Sequence, residues 1–169
     1  YRVTAGSTLN LGSSITTNLA SITLDGPGAS WPALASLTHN SGNLTVTNAA
    51  SLALAGNFMN SGSLTLGPAA SISAASFINA KVASLIVIIG SQGAPNLTVP
   101  GVAGLYGNFS ISWTPDVMPA AATFALFSAG SLHVEFNSTT IQPPGGGLTP
   151  VLLKSGTSLS LALFRYTRL

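Results

Sequence analysis

A chain of 169 residues without cysteine is long enough to bury a core, yet only 5% of it is charged, so Ser, Thr, Asn and Gly carry its polarity. Five basic residues against three acidic ones give a formal net charge of +2 scattered along the chain, which reflects a scarcity of acid and argues against a nucleic-acid partner. Zero Cys excludes disulfide staples and zinc-thiolate centres, and the longest apolar run, Val82 to Ile89, falls far short of the roughly 18 residues of a membrane span.

In chain order, GSTLNL (6–11) looks like an early coil, with Leu9 in the same column about 22 residues before Trp31. Ile22-Thr23-Leu24 follows as an apolar, polar, apolar triplet, and the small-residue turn GASW (28–31) leads into Trp31. THNSGNLTV (38–46), FMNSGSLTL (58–66) and FINAKVASLIV (77–87) align at about 20-residue spacing, which places Asn40, Asn60 and Asn79 in one column. The turns AASL (49–52) and AASI (69–72) keep the same period, so Trp31, Leu52 and Ile72 should stack. Leu44-Thr45-Val46, Leu64-Thr65-Leu66 and Leu97-Thr98-Val99 alternate like the first triplet, with Leu85-Ile86-Val87 as an all-apolar variant. Alternation of period two marks a strand with one buried face. Strands this short bury too little alone, whereas similar coils stacked along an axis bury a continuous apolar column. Helical spacing with caps is absent, and Gly and Pro interrupt most windows long enough for a helix. The expectation is an all-β chain: a β-solenoid of about 20-residue coils, four of them over residues 1–91, continuing as longer strands over residues 92–169 in one domain. In that second half LYGNFSISW (105–113), TFALFSAG (123–130), LHVEF (132–136) and SLSLALF (158–164) alternate, separated by loops such as QPPGGG (142–147).

The second half also carries a family resemblance. Leu97, Val99, Gly101, Leu105, Gly107, Phe109 and Ile111, followed by Phe124 to Gly130 and a closing SLSLALF strand, are similar to the C-terminal part of bacterial β-strand-repeat surface proteins. These resemble autotransporter passengers and haemagglutinin-type right-handed β-helices. The resemblance covers most of the chain and implies a right-handed solenoid serving as stalk, adhesin or surface layer. An extracellular or cell-surface location agrees with the uncharged, hydroxyl-rich composition, and a start at Tyr1 fits a processed chain or a fragment.

Catalytic chemistry has few residues to work with. Hydrolases and lyases built on β-helices need clustered carboxylates or calcium sites, and the acids here are Asp25, Asp116 and Glu135. His133 and Glu135, two apart on a strand with Ser131 nearby, form the best local pair, and they read as an exposed polar face. Neither a nucleophile elbow nor a phosphate loop nor a metal-spaced His pair occurs, so no catalytic, cofactor or metal residue is expected.

The Asn40, Asn60, Asn79 column could face a ligand, but stacked Asn at a coil corner more often satisfies backbone groups and its own amides. Thr23, Thr45, Thr65 and Thr98 could form a hydroxyl row of the kind ice-binding solenoids use, interrupted by Ile86; ordinary strand preference also accounts for them. Asn43, Asn96, Asn108 and Asn137 head N-x-[ST] sequons compatible with glycans. Tyr106 and Trp113 are the candidates for stacking on a sugar. Bare sheet edges at the two ends, with Arg165 and Arg168 as potential edge gatekeepers, point to copies of the chain as partners. The functional expectation is therefore a non-enzymatic extracellular fibre or layer subunit joined head to tail, with a monomeric adhesin stalk or a carbohydrate-, host-surface- or ice-binding module as the alternative.

Overall fold

Alternating strands, most of them short, stack in parallel from coil to coil in this protein, and only the last two fold back antiparallel as a hairpin. The computed structural model describes residues 1–115, 122–143 and 147–165, and over them the chain forms a β-solenoid of about 5 turns with coils of about 22 residues. The first coils comprise β1 (Arg2–Thr4), β2 (Thr17–Asn18), β3 (Ser21–Asp25), β4 (His39–Asn40), β5 (Asn43–Thr47), β6 (Ser51–Ala53), β7 (Asn57–Asn60) and β8 (Ser63–Leu66). The stack continues through β9 (Ser71–Ser73), β10 (Ser76–Asn79), β11 (Ser84–Ile89), β12 (Asn96–Leu105), β13 (Asn108–Trp113), β14 (Thr123–Val134) and β15 (Ser138–Ile141). It closes with β16 (Leu148–Lys154) and β17 (Ser158–Arg165).

Two sheets run along the axis. One is seven-stranded in the order β1-β3-β5-β8-β11-β13-β15, all parallel; the other is ten-stranded and carries the remaining strands. Parallel pairing runs unbroken past residue 91, from β10 to β12 and from β11 to β13.

In-register pairing makes the core. Leu44 pairs with Leu64 and Leu64 with Leu85, Leu85 with Phe109, and all four are at most 1% exposed. Leu52, Ile72, Leu97 and Phe127 form a second buried column on the other sheet. Leu52 pairs with Ile72 as expected, Trp31 is buried and lines one cavity with Leu52, and Leu9 donates its N–H to the Ser30 carbonyl one coil on. Coils approach closely enough at one corner that side chains are excluded: a Cβ on Gly62 would lie 2.2 Å from the Gly42 carbonyl oxygen, and one on Gly42 as close to that of Ala20.

Three features depart from the sequence-based expectation. Pro32–Ser36 forms a short 3-10 helix where no helix was anticipated; Pro suits its first turn because it has no N–H to leave unpaired, and Leu34 is buried beneath it. In the second half the strands lengthen as expected, but β12 and β14 each run through what read as separate segments, β12 pairing with both β9 and β10. Finally, the ten-stranded sheet does not end in a bare edge left by the last coil. β17 pairs antiparallel with β14, and β16 antiparallel with β17, so a hairpin covers that end with Leu148, Leu159, Leu161 and Leu163 buried.

The corner between β5 and β6 stores backbone strain. Asn48 and Ala49 both have positive φ, 54° and 61°, and the Ala50 N–H donates to the Thr47 carbonyl at 3.1 Å. Two consecutive left-handed residues closed by that bond make a type I′ turn, whose second central position favours glycine. Replacing Ala49→Gly removes a steric cost and should stabilise the fold by about 1 kcal/mol, read from urea denaturation; a loss of stability would contradict the turn assignment.

Candidate functional site

The most constructed polar feature of the molecule is a ladder of four side-chain amides. Asn18, Asn40, Asn60 and Asn79 occupy equivalent corner positions, and none is more than 2% exposed. Nδ2 of Asn18 donates to Oδ1 of Asn40, Asn40 to Asn60, and Asn60 to Asn79, each at 2.7 Å. The next position in the column is Leu105, and Nδ2 of Asn79 donates instead to the backbone oxygen of Tyr106 at 2.6 Å. Asn18, Asn40 and Asn60 give a further N–H to the carbonyls of Asn43, Ser63 and Ser84 at 3.3, 3.0 and 3.2 Å. At the first rung, Oδ1 of Asn18 accepts the Ala20 N–H at 2.9 Å. Donors and acceptors are thus matched within the stack, and the amide dipoles run in one direction, so each bond polarises the next.

The ladder braces the fold: all four rungs are buried, and the first of them, Asn18, lines a cavity at the first coil. Its first rung, Asn18, escaped the repeat alignment because TTNLASITL (16–24) lacks the Ser-Gly that follows Asn40 and Asn60; its spacing of 22 residues from Asn40 was the available signal.

The remaining candidates lie on the surface and are dispersed. Thr23, Thr45 and Thr65 do stack on the outer face of the seven-stranded sheet, continued by Ile86 and Ser110. Thr98 does not belong to that row. It lies on the other sheet between Ser73 and Ser128, where the Ser128 hydroxyl donates to its Oγ1 at 3.4 Å. Asn43, Asn96 and Asn108 are exposed strand residues whose sequon centres, Leu44, Leu97 and Phe109, are buried and whose third residues point outward. Strand alternation with small polar outer residues generates this pattern without reference to glycans. Asn137, also exposed, lies just before β15, and its Nδ2 donates to the Lys81 carbonyl at 2.7 Å.

The charged residues do not converge. Asp25 pairs with Arg2 and accepts from Nδ2 of Asn48 at 2.7 Å. The Arg2 hydrogen bond, then that of Asn48, hold its carboxyl below the usual carboxylate range. Glu135 lies coils away, with Oε2 3.5 Å from Nε2 of His133, and both side chains are about two-thirds exposed. Ser131 is also exposed beside them. Asp116 and Arg168 lie outside the described residues. Among the described residues no three His, Cys, Asp or Glu side chains assemble to hold a metal, and no helix is long and apolar enough to cross a membrane.

Of the two sugar-stacking candidates, Trp113 is committed to packing. Its Nε1 donates to the Gln142 carbonyl at 2.9 Å and its ring meets Phe124 edge-on at 5.9 Å. Tyr106 lies on the outer surface of β12's coil.

The ends of the stack are its least satisfied regions. At the first coil a cavity of about 280 Å³ opens between Tyr1, Leu11, Ile15, Leu19, Ile22 and Trp31, and Leu19 is 79% exposed. The buried Trp31 Nε1 has no hydrogen-bond partner among the described residues. At the last coil a cavity of about 450 Å³ is walled by Val134, Phe136, Thr139 and Leu152, with Glu135 and Lys154 also lining it. No protein-family model, no curated protein and no solved structure matches this chain.

Breaking the ladder at an internal rung should cost more than breaking it at its start. Asn60→Ala orphans a buried Asn40 N–H and the buried Asn79 oxygen together, whereas Asn18→Ala orphans the buried Asn40 oxygen and an Ala20 N–H that water can reach, so losses of about 2–5 and 1–3 kcal/mol are expected. Equal losses in denaturant titrations would mean that the bonds do not act as a chain. A depressed folded-state pKa at Asp25 contributes stability above the unfolded value near ~3.9 and loses it as pH falls through the folded one. The stability difference between wild type and Asp25→Asn should therefore be flat above about pH 5 and shrink in acid, as followed by thermal melts across pH.

Proposed function

We propose that this chain is a non-enzymatic structural protein of the cell exterior whose copies stack end to end into a fibre or layer. The observation that carries this reading is the pair of unfinished ends. Among the described residues the seven-stranded sheet runs from β1 at one end to β15 at the other, with no strand paired beyond either, and apolar side chains line a cavity beside each. Register supports the match: Val3 heads the column that runs through Leu24, Val46, Leu66, Val87 and Ile111 to Ile141, so β15 of one copy offers β1 of the next a continuation of the same column. Edges of this kind recruit other strands.

Electrostatics does not oppose the contact. The cation on the first edge, Arg2, is paired with Asp25, and a net charge of +2 leaves little repulsion between copies. A head-to-tail contact uses different patches on the two partners and need not close, so its product is a filament. The contact at the far end involves β15 and its neighbouring cavity more than residues 160–169, because β17 sits between β14 and β16 inside its sheet and its loss would open the core. Arg165, exposed at the end of β17, flanks that end as a charged gatekeeper. The stalk or surface-layer role implied by the resemblance to bacterial surface proteins belongs to the same proposal.

Leu19→Lys tests it. The side chain is exposed, so the substitution leaves the thermal melt unchanged while placing a charge on the apolar end. Wild type should sediment as species that lengthen with concentration and appear as filaments in negative stain, and Leu19→Lys should remain monomeric. A wild type that stays monomeric at its highest soluble concentration overturns the assembly reading.

A further inference from the structure

The hairpin that closes the ten-stranded sheet covers one edge and creates another. β17 takes up β14 along Thr123–Ser128, and just past that stretch the Ala129 and Leu132 N–H groups donate to the carbonyls of Thr157 and Gly156 in the hairpin turn at 2.8 and 2.6 Å. The edge is thereby passed outward to β16, beyond which no strand is paired among the described residues. β16 has the marks of a recruiting edge. It is seven residues long and mostly apolar, and Val151, Leu153 and Phe164 are exposed on one face of the hairpin. Long apolar edges of this kind pair with other chains unless a residue in them prevents it.

The placement of one proline prevents it here. Pro150 stands opposite Leu163, and the Leu163 N–H donates to Ala122 at 2.8 Å, on the side of its strand away from β16. In an antiparallel pair, opposite residues exchange both backbone bonds or neither, and the two kinds alternate along the strand. The register of β16 on β17 runs without a shift from Leu148 to Lys154. Backbone groups of Leu148, Pro150, Leu152 and Lys154 therefore point to the open edge, and those of Thr149, Val151 and Leu153 bond to β17. Proline has no N–H, so the row of donors on the open edge is broken inside the strand. A proline at position 149, 151 or 153 would break a bond to β17 instead; at 150 it blocks the edge and leaves the hairpin whole. β1 and β15, the outermost strands of the seven-stranded sheet, hold no proline.

We propose that Pro150 is an assembly stop: it denies the β16 edge to a second copy of this chain, so that copies join through the seven-stranded sheet alone. The proposal rests on the end-to-end reading for the edges left open, whereas the refusal at β16 stands on the hairpin's own geometry. A subunit able to recruit copies at β16 as well as at β15 would have two accepting edges on different sheets, and its assemblies would branch. With β16 closed, each copy keeps one contact at each end, which is the condition for an unbranched filament.

Pro150→Val tests the stop in the Leu19→Lys background, where the contact at the first coil carries a charge. The substitution restores an outward N–H and a strand-favouring side chain at an edge position, and thermal melts check that both proteins fold. In Leu19→Lys alone, the Leu152 amide should exchange with deuterium faster than those of Val151 and Leu153. Adding Pro150→Val should slow Leu152 exchange by about ten-fold or more and shift sedimentation to dimers or larger species. A Leu152 amide already protected beside Pro150, or a Pro150→Val protein with neither change, would overturn the stop. A wild type that never assembles would end the end-to-end reading and leave this comparison intact, because exchange at Leu152 reports pairing at β16 by itself.

Discussion

Parallel, in-register pairing between coils is the constraint from which the other features follow. It places every residue about 4.8 Å above its counterpart one coil earlier, so the stack can use only residues that tolerate their own kind as neighbours. Leu on Leu and Val on Leu make the buried columns, and Asn on Asn makes the ladder. Ser and Thr on one another make the outer faces, as where the Ser71 hydroxyl meets that of Ser51 at 3.0 Å. Like charges so stacked would repel by roughly 1 kcal/mol in water and several times more where partly desolvated. A charged fraction of 5% is what such a stack requires, and the acid and base it does place in the first coils, Arg2 and Asp25, are paired with each other. Low charge therefore reports the architecture before it reports any compartment.

The ladder divides the solenoid into two regimes. As far as Asn79 the coils advance by 19 to 22 residues per rung, and the buried amide fixes a tight corner in each. Leu105 ends the ladder, and the following coil spans 30 residues between Asn108 and Ser138. Where the amides fix the corner, two faces are built from two short strands. Beyond them, β12 bends as a single strand through Pro100 and Gly101 with a register shift against β14, and a Cβ on Gly130 would lie 2.3 Å from the Pro100 carbonyl. A wider, less constrained coil no longer templates an identical successor, and the chain turns back antiparallel through β17 and β16.

These regimes also explain what could be read from the sequence. In the tight coils, position within the repeat determines position in space, so Leu44, Leu64 and Leu85, and the Asn40, Asn60, Asn79 column, were legible by alignment alone. Thr98 was not, because Leu97-Thr98-Val99 carries the same alternation as Leu64-Thr65-Leu66 while lying on a different face; period two reports that a strand has an inside, without reporting which sheet owns it. The closing hairpin was illegible for the same reason, since SLSLALF alternates equally well in parallel and antiparallel company. The approach of the Tyr106 ring edge to Gly104, two residues earlier, is encoded by no periodicity.

In a repeat that imposes like on like, a departure from its column is informative because stacking does not require it. Gly104 interrupts a column whose other members carry full side chains, and the interruption is filled from outside by Tyr106, so the two positions depart together. A single unmatched residue could be explained by loose packing at a coil boundary. A glycine that makes room for a ring, placed where the last amide of the ladder holds that ring's own carbonyl, is harder to assign to packing, because an ordinary Ser or Thr at position 104 would have continued the sheet's outer face with an exposed tyrosine elsewhere. The core of this protein is built by repetition, and Gly104 with the edge of the Tyr106 ring beside it is where the repetition of that outer column stops.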